Sequence, residues 1–240
     1  MKAAASFTSI VLLLAGLNGS SFGQVTFRVD FDVTWSASTH PGAYPSSAHF
    51  SPLIGITHDS TVSLWEPGGI ASPGIEQMAE TGATSSLRSE ITAATGRTNY
   101  LSASTIFGTG RRSVEFDVEK DESLLTLVTM VAPSPDWFVG VNSLDLYEGG
   151  SWADGLVVDL FAWDAGTDSG TSFVSGNRDT NPQTPITRLG NPLPDTLPAL
   201  GTFTFTLIAV PEPSSVLLAG IGVAAFSQQR RRGRGRGASN

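Results

Sequence analysis

The stretch Thr26-Phe27-Arg28-Val29-Asp30-Phe31-Asp32-Val33-Thr34-Trp35 decides the fold class of this 240-residue chain. Its apolar and polar residues alternate without a break, with Phe27 beginning the apolar set and Thr26 the polar set. Because successive side chains of a β-strand point to opposite faces, the alternation predicts a strand with one buried face and one face in water. The rest of the chain must supply the strands that pair with it.

Five further apolar segments are separated by clusters of Gly, Pro, Ser and Asp, which is typical of strands joined by turns. They are Ser113 to Val118, Leu124 to Val131, Phe138 to Leu146, Leu156 to Trp163 and Thr202 to Ile208. The second segment is apolar on both sides except for Thr126 and Thr129, so we expect a central strand covered on both faces. The pattern as a whole predicts an all-β fold, an antiparallel sandwich of two sheets.

One segment favours helix and another favours irregular structure. Ser72 and Pro73 provide an N-cap and a first-turn residue for a helical segment over Ser72 to Arg88. Gly82 interrupts that segment, so we expect only short helical turns. The stretch from Asp168 to Leu200 holds many Asn, Thr, Pro and Gly residues without a clear period, which predicts a long surface connection.

The N-terminus carries the features of an export signal. Lys2 is followed by the apolar run Ile10 to Leu17 and by the small residues Ser21 and Gly23. This arrangement is typical of a secretory signal that is cleaved after Gly23. The apolar run is far shorter than the ~20 residues that cross a bilayer as a helix. We therefore expect residues 1–23 to be a signal peptide rather than a first transmembrane helix.

The C-terminus has a motif, an apolar segment and a basic end. Val210-Pro211-Glu212-Pro213-Ser214-Ser215 precedes the apolar stretch Val216 to Phe226, and five arginines follow, at Arg230, Arg231, Arg232, Arg234 and Arg236. These parts, in this order, resemble the PEP-CTERM sorting signal of Gram-negative bacteria. The resemblance implies processing of residues 210–240 by an exosortase-like enzyme.

An arginine cluster behind an apolar segment also resists translocation. We expect residues 214–227 to form a short transmembrane helix that associates transiently with the membrane. The alternative, a basic arm for nucleic acid, is not favoured in an exported chain.

The core between the two ends is strongly acidic. Residues 24–210 hold eight basic and twenty-one acidic residues, a net charge of −13 with neutral histidines. This charge argues against nucleic acid as a partner and favours divalent cations and basic surfaces. The chain has no cysteine, which excludes disulfides, a thiolate nucleophile and a Cys-anchored lipoprotein. The length suits one domain over residues 24–209.

The core contains motifs that resemble the spondin N-terminal domain. In its first half they are Trp35-Ser36, His40-Pro41, His49-Phe50-Ser51-Pro52-Leu53-Ile54-Gly55 and His58. In its second half they are Pro133-Ser134-Pro135-Asp136-Trp137-Phe138-Val139-Gly140-Val141 and Trp163-Asp164-Ala165-Gly166-Thr167-Asp168-Ser169-Gly170. In animals this domain occurs in secreted matrix and adhesion proteins, as a β-sandwich that binds a divalent metal, usually taken as calcium. The resemblance implies a non-catalytic, calcium-binding adhesion or matrix module of the envelope or extracellular matrix, with an extracellular polysaccharide or surface protein as partner.

The resemblance also implies the metal ligands. Asp136 follows the Pro-Ser-Pro turn, and Asp164 and Asp168 flank Ala-Gly-Thr, on ligand positions of the family. A fourth position, typically Glu in the family, is Asp117 here, with a shorter side chain. Calcium takes six to eight oxygens, and Gly166 can adopt a positive φ that lets carboxylates from one turn converge. On spacing alone, the alternative that these residues are ordinary turn formers stays open.

Two other patterns in the sequence resemble metal-binding or catalytic sites. His40, His49 and His58 recur at nine-residue intervals, which keeps them on no common helix face, so we expect structural roles for them. Asp168-Ser169-Gly170-Thr171-Ser172 spells the active-site loop of an aspartic protease, which needs a second such loop. The sequence has no second copy of this loop, which argues against a protease. An envelope hydrolase built on Asp168 stays as a rival hypothesis, beside a purely structural matrix component.

Overall fold

The computed structural model describes residues 24–210, apart from Ala43, residues 98–99 and residues 191–196. Its strands in chain order are β1 Val25–Val33, β2 His49–Phe50, β3 Leu53–His58, β4 Leu101–Ala103, β5 Ile106–Phe107, β6 Gly110–Val118, β7 Leu124–Ala132, β8 Trp137–Asp145, β9 Tyr147–Glu148, β10 Ser151–Trp152, β11 Leu156–Leu160, β12 Trp163–Asp164, β13 Thr187–Arg188 and β14 Gly201–Ala209. Two α-helices, α1 Pro73–Thr81 and α2 Ser85–Thr95, and a 3₁₀ turn at Lys120–Glu122 lie between them.

Both predicted terminal signals concern residues that are not described here. The signal peptide over 1–23 and the membrane-associated segment over 214–227 lie outside the described residues. In the part of the chain that is described, neither helix has the length and apolar character to span a membrane.

The strands form two antiparallel sheets, which confirms the predicted all-β sandwich. Sheet 1 has the order β11-β14-β1-β6, and sheet 2 has the path β13-β12-β8-β7-β2-β5 with β3 and β4 joined to it through β7. The apolar set of β1 is buried between the sheets, with Phe27 and Val29 no more than 1% exposed. A separate hairpin of β9 and β10 completes the described strands.

Strand β7 is covered on both faces, as its sequence predicts. Leu127 and Val131 belong to the core between the two sheets, together with residues of β1 and β14. Val128 and Met130 point the other way, into a second core shared with the two helices. The molecule is therefore a sandwich with a helical layer on the outer face of sheet 2.

The helices are longer than predicted. Ser72 is the N-cap of α1, its hydroxyl accepting the Ile75 N–H, and Gly82 ends the helix at φ +72°. The chain then starts α2, which continues to Thr95 rather than stopping at Arg88. Tertiary packing explains the extra length. Leu87 and Ile91 are buried in the second core, and packing stabilises a short helix more than intrinsic helix propensity does.

Three other expectations need correction. The segment Leu156 to Trp163 is two strands, β11 in sheet 1 and β12 in sheet 2, so the chain changes sheets within it. The segment 49–58 forms β2 and β3, and the sequence pattern does not predict a strand there. Its buried residues contact both cores, so apolar and polar residues do not alternate along it. The expected connection from Asp168 to Leu200 contains the short strand β13 and a fully buried Ile186.

Two glycines let the neighbours of β7 approach it. Gly55 of β3 lies opposite Leu127, and Gly140 of β8 lies opposite Val128. A Cβ added to Gly140 would collide with the Leu127 carbonyl oxygen and lie 2.8 Å from a methyl group of Val128. Neither neighbour is the end of a flexible chain, so the register of β8 depends on this glycine.

Gly140→Ala should lower the free energy of unfolding by about 3 kcal/mol, because overpacking against a central strand forces backbone movement. Gly110→Ala is the matched control, since Gly110 also lies in a strand but has open space around it, and its effect should stay within about 0.5 kcal/mol. Urea unfolding followed by tryptophan fluorescence measures both. Equal effects of the two substitutions would contradict this account.

Candidate functional site

Asp136 is the most deeply buried carboxylate of the predicted site. It lies in the turn between β7 and β8 and is 0% exposed. Its Oδ2 accepts the backbone N–H groups of Thr167 at 2.8 Å and Asp168 at 3.0 Å, and its carbonyl accepts the Ala165 N–H at 3.1 Å. Its Oδ1 is buried and has no hydrogen-bond partner. One oxygen thus holds a loop in place, and the other has nothing to bind.

Asp164 and Asp168 reach the same place through that loop. Strand β12 pairs with β8, which puts Asp164 opposite Trp137. The Oδ1 of Asp164 accepts the Gly166 N–H at 2.8 Å. The carboxylate of Asp168 accepts the N–H of Gly170 at 2.6 Å and of Arg178 at 2.7 Å. Each side chain is fixed by backbone groups of its own loop.

Gly166 shapes the turn between these two aspartates. Its φ is +75°, and a Cβ there would collide with the carbonyl oxygen of Thr184. That neighbouring segment is bonded closely, because the Gly166 carbonyl accepts the Thr184 N–H at 2.9 Å. The positive φ expected from the sequence is therefore present, and only glycine suits the position.

Glu80 is a fourth carboxylate at this site, and the sequence pattern did not predict it. It lies near the end of α1, which packs on β7 and β8. Its Oε1 is buried without a hydrogen-bond partner. Burial raises the pKa of Glu80, the nearby Thr167 hydroxyl lowers it, and the negative charges of Glu76 and Asp168 raise it further. The spacing of Glu76 and Glu80 on one helix face was the only available signal, and it does not reveal what that face meets.

We call Glu80, Asp136, Asp164 and Asp168 the carboxylate cluster. Burial, followed by the charges of Asp164 and Asp168, raises the pKa of Asp136 to about 6 against the hydrogen bonds from Asp168 and Thr167. Burial is also the main cause that raises the pKa of Asp164 and of Glu80. Like charges in a desolvated place oppose ionisation. A cation near the cluster would therefore favour the ionised form of these carboxylates.

The cluster is not a preformed ligand cage. Among the described residues, no three Asp, Glu, His or Cys side chains converge closely enough to hold a metal as they stand. The backbone amides take one oxygen of Asp136 and of Asp164 and both oxygens of Asp168. A polar cavity of about 260 Å³ adjoins the cluster, with Glu80 and Asp168 among its lining residues. It leaves open space beside two of the four carboxylates.

The fourth predicted ligand, Asp117, is not at this site. It lies on β6, in sheet 1, with its side chain exposed to solvent. Its Oδ1 accepts the Thr26 hydroxyl at 2.8 Å. Alternation placed it correctly on the polar face of its strand, but that face belongs to the sheet that does not carry the cluster.

The three histidines have separate structural partners. His40 and His58 are buried, and both ring nitrogens of each are in hydrogen bonds, to Thr39 and the Pro198 carbonyl for the first and to the Asp59 carbonyl and Thr126 for the second. His49 bonds the Ser47 carbonyl and stacks on Phe107. Their nine-residue spacing does not bring them together at one site.

Comparison with known proteins gives two family matches. The family model described as Spondin_N matches residues 25–198, and the model described as PEP-CTERM protein-sorting motif matches residues 209–232. The chain is similar to Spondin-1 of Rattus norvegicus, with 38% identity over 183 residues that cover 71% of this chain and 23% of that protein.

Spondin-2 proteins are similar over a larger share of their own length. The identity is 39% over 200 residues with the Rattus norvegicus protein and 36% over 200 residues with the Homo sapiens protein. These matches cover 75% and 80% of this chain, and 60% of each relative. The chain therefore spans less than two thirds of the relatives that it matches.

The raised pKa of Asp136 predicts how stability without divalent metal depends on pH. The folded state binds the proton more tightly than the unfolded state, because the pKa rises from 3.8 to about 6 on folding. The free energy of unfolding should therefore fall as the pH rises from about 4 to about 6, by at most roughly 3 kcal/mol from this group.

Urea unfolding in EDTA at half-unit pH steps measures this slope, and Asp136→Asn should flatten it. Asp121→Asn, a change at an exposed position outside the cluster, serves as the control and should retain the wild-type slope. A wild-type stability that is constant or rises over this pH range would contradict the prediction.

Proposed function

Because the chain belongs to the Spondin_N family and carries the PEP-CTERM sorting motif of an exported protein, we propose that it is a non-catalytic, calcium-binding adhesion module of the cell envelope or extracellular matrix. The sorting motif implies processing by exosortase-like machinery. The observation that carries the calcium proposal is the buried carboxylate cluster, in which Asp136 Oδ1 and Glu80 Oε1 have no hydrogen-bond partner.

The donor set of the cluster suits calcium. All four side chains offer carboxylate oxygen, which is the donor that hard cations such as calcium prefer, whereas zinc sites favour His and Cys. Asp136 Oδ1 and Glu80 Oε1 would be the first ligands, since binding them breaks no existing hydrogen bond. Asp164 and Asp168 would add oxygens while their loop bonds keep them oriented. Water or a partner molecule would complete the coordination.

A bound calcium ion would reduce the electrostatic repulsion within the carboxylate cluster. Two positive charges would offset the repulsion among four carboxylates and compensate for their desolvation. Asp168 holds the loop that ends at Arg178 through its backbone contacts. Calcium at Asp168 would therefore fix that loop, which lies at the surface, and a partner would meet an ordered surface.

The contacts of Asp168 support a non-catalytic role over the hydrolase hypothesis. An aspartic protease needs two carboxylates that share one proton and face the substrate. Both oxygens of Asp168 accept backbone N–H groups from its own loop, as expected for a residue that orders a turn. A partner fits the acidic core best if calcium bridges the two, and an extracellular polysaccharide or a surface protein can supply the facing oxygens.

Calcium should stabilise the processed protein, because an ion that binds only the folded state adds its binding free energy to folding. At one hundred times its dissociation constant the gain is about 2.7 kcal/mol. Asp136→Asn should abolish this response, and Glu80→Gln should reduce it. Thermal unfolding with calcium and with EDTA measures each variant.

Asp117→Asn is the matched control for this series, because it removes the same charge at the predicted ligand position that lies outside the cluster. Its calcium response should equal that of the wild type. An unchanged melting temperature with calcium in the wild type would reject the metal site. A response lost in Asp117→Asn and kept in Glu80→Gln would reject our choice of ligands.

Adhesion should depend on the same ion. The processed protein should bind extracellular polymer from its own source in calcium and lose most of that binding in EDTA. Asp164→Asn should bind weakly under both conditions, while Asp121→Asn should bind as the wild type does. Sedimentation of the polymer with bound protein measures the fraction retained. Equal retention in calcium and EDTA would show that adhesion does not use the cluster.

A further inference from the structure

Strand β6 forms one edge of sheet 1. It spans nine residues, Gly110–Val118, and among the described strands it has a ladder only with β1. The N–H and C=O groups on the other edge of such a strand are a template for pairing with a further strand. A long, regular edge of this kind is a candidate surface for strand addition.

The charges of β6 are arranged in opposite halves. Arg111 lies near its start and Glu115 and Asp117 near its end, all exposed and all on the outer face. Arg111 keeps 61% of its side chain exposed while its Nε donates to Asp32 at 2.6 Å. Arg112 takes no part in this face, since its guanidinium bonds Ser104, the Thr105 carbonyl and the Arg111 carbonyl.

A second copy of β6 complements this pattern. Antiparallel pairing over the full strand places Gly110 of one copy opposite Val118 of the other, with Val114 at the two-fold axis. Arg111 then faces Asp117 of the other copy, and Ser113 faces Glu115. Directly opposite residues on one face interact most strongly, and this register contains no pair of like charges.

There is room beside the strand for an incoming one. A polar cavity of about 540 Å³ adjoins the second half of β6, where Val114 and Phe116 line one side and Leu101 and Ser102 of β4 lie among the residues of the other. The inward-facing side chains of the added strand can occupy that space. The inner side of the edge is therefore open from Val114 to Asp117, while β4 packs against the strand and Arg112 bonds the segment that follows β4.

We propose that two copies of this protein pair through β6, joining their four-stranded sheets into one continuous sheet of eight strands. The interface is isologous, so each ion pair occurs twice. Exposed ion pairs contribute little individually, and the dimer is therefore weak and sensitive to salt. Such pairing gives an envelope or matrix protein a contact between its own copies that does not use the carboxylate cluster.

Charge reversal tests the register. Arg111→Glu and Asp117→Arg each put like charges at both ends of the paired strands, so each variant alone should dimerise roughly tenfold more weakly than the wild type. An equimolar mixture of the two should recover the wild-type affinity. In the mixed dimer the introduced glutamate faces the introduced arginine, and the remaining native Arg111 faces the remaining native Asp117. Sedimentation equilibrium of the processed protein in low salt and EDTA measures all four samples.

Asp121→Arg is the matched control, since it makes the same change of charge at an exposed position outside β6. It should dimerise as the wild type does, and 0.5 M NaCl should weaken the wild-type dimer. If either substitution weakened the dimer by disturbing the fold, mixing the two variants would not restore the affinity. Recovery in the mixture therefore shows that the charges themselves pair across the interface. A wild type that stays monomeric in low salt, or a dimer unaffected by either reversal, would overturn the proposal.

Discussion

Coverage of β7 on both faces is the constraint on which the rest of the structure depends. Leu127 and Val131 must meet sheet 1, and Val128 and Met130 must meet something else, because an exposed apolar face is unfavourable in water. The helices α1 and α2 supply that second cover. The turn that follows β7 holds Asp136, whose carboxylate is buried and accepts the backbone N–H groups of Thr167 and Asp168.

Burial of Asp136 and Asp168 sets the chemistry of the carboxylate cluster. On an exposed turn, four carboxylates would be solvated by water. Here the backbone amides of Thr167 and Asp168 satisfy one oxygen of Asp136, and the other is left without a partner. An isolated buried charge is costly unless it is paired or binds a metal. Burial raises the pKa of Asp136 for this reason, and calcium offers a physical means of reducing the cost.

The sequence predicted what local pattern controls and failed where tertiary packing decides. The alternation of β1 and the two-sided apolar character of β7 were readable because side-chain direction follows from strand geometry. The meeting of Asp136 with Asp164 and Asp168 was predicted from the family motifs. Glu80 was not, because nothing local tells which sheet a helix will cover.

Asp117 lies in the other sheet for the same reason, since the polar face of a strand can be predicted from the sequence and the sheet to which the strand belongs cannot. The placement of Asp117 also separates the two surfaces of the molecule. The carboxylate cluster is built from sheet 2, its loops and α1, whereas the charged edge on β6 belongs to sheet 1. The two sheets meet through an apolar core, and apolar packing does not link the ionisation of one outer face to that of the other. A cation bound at the cluster and a second copy bound at β6 therefore occupy different surfaces of the molecule.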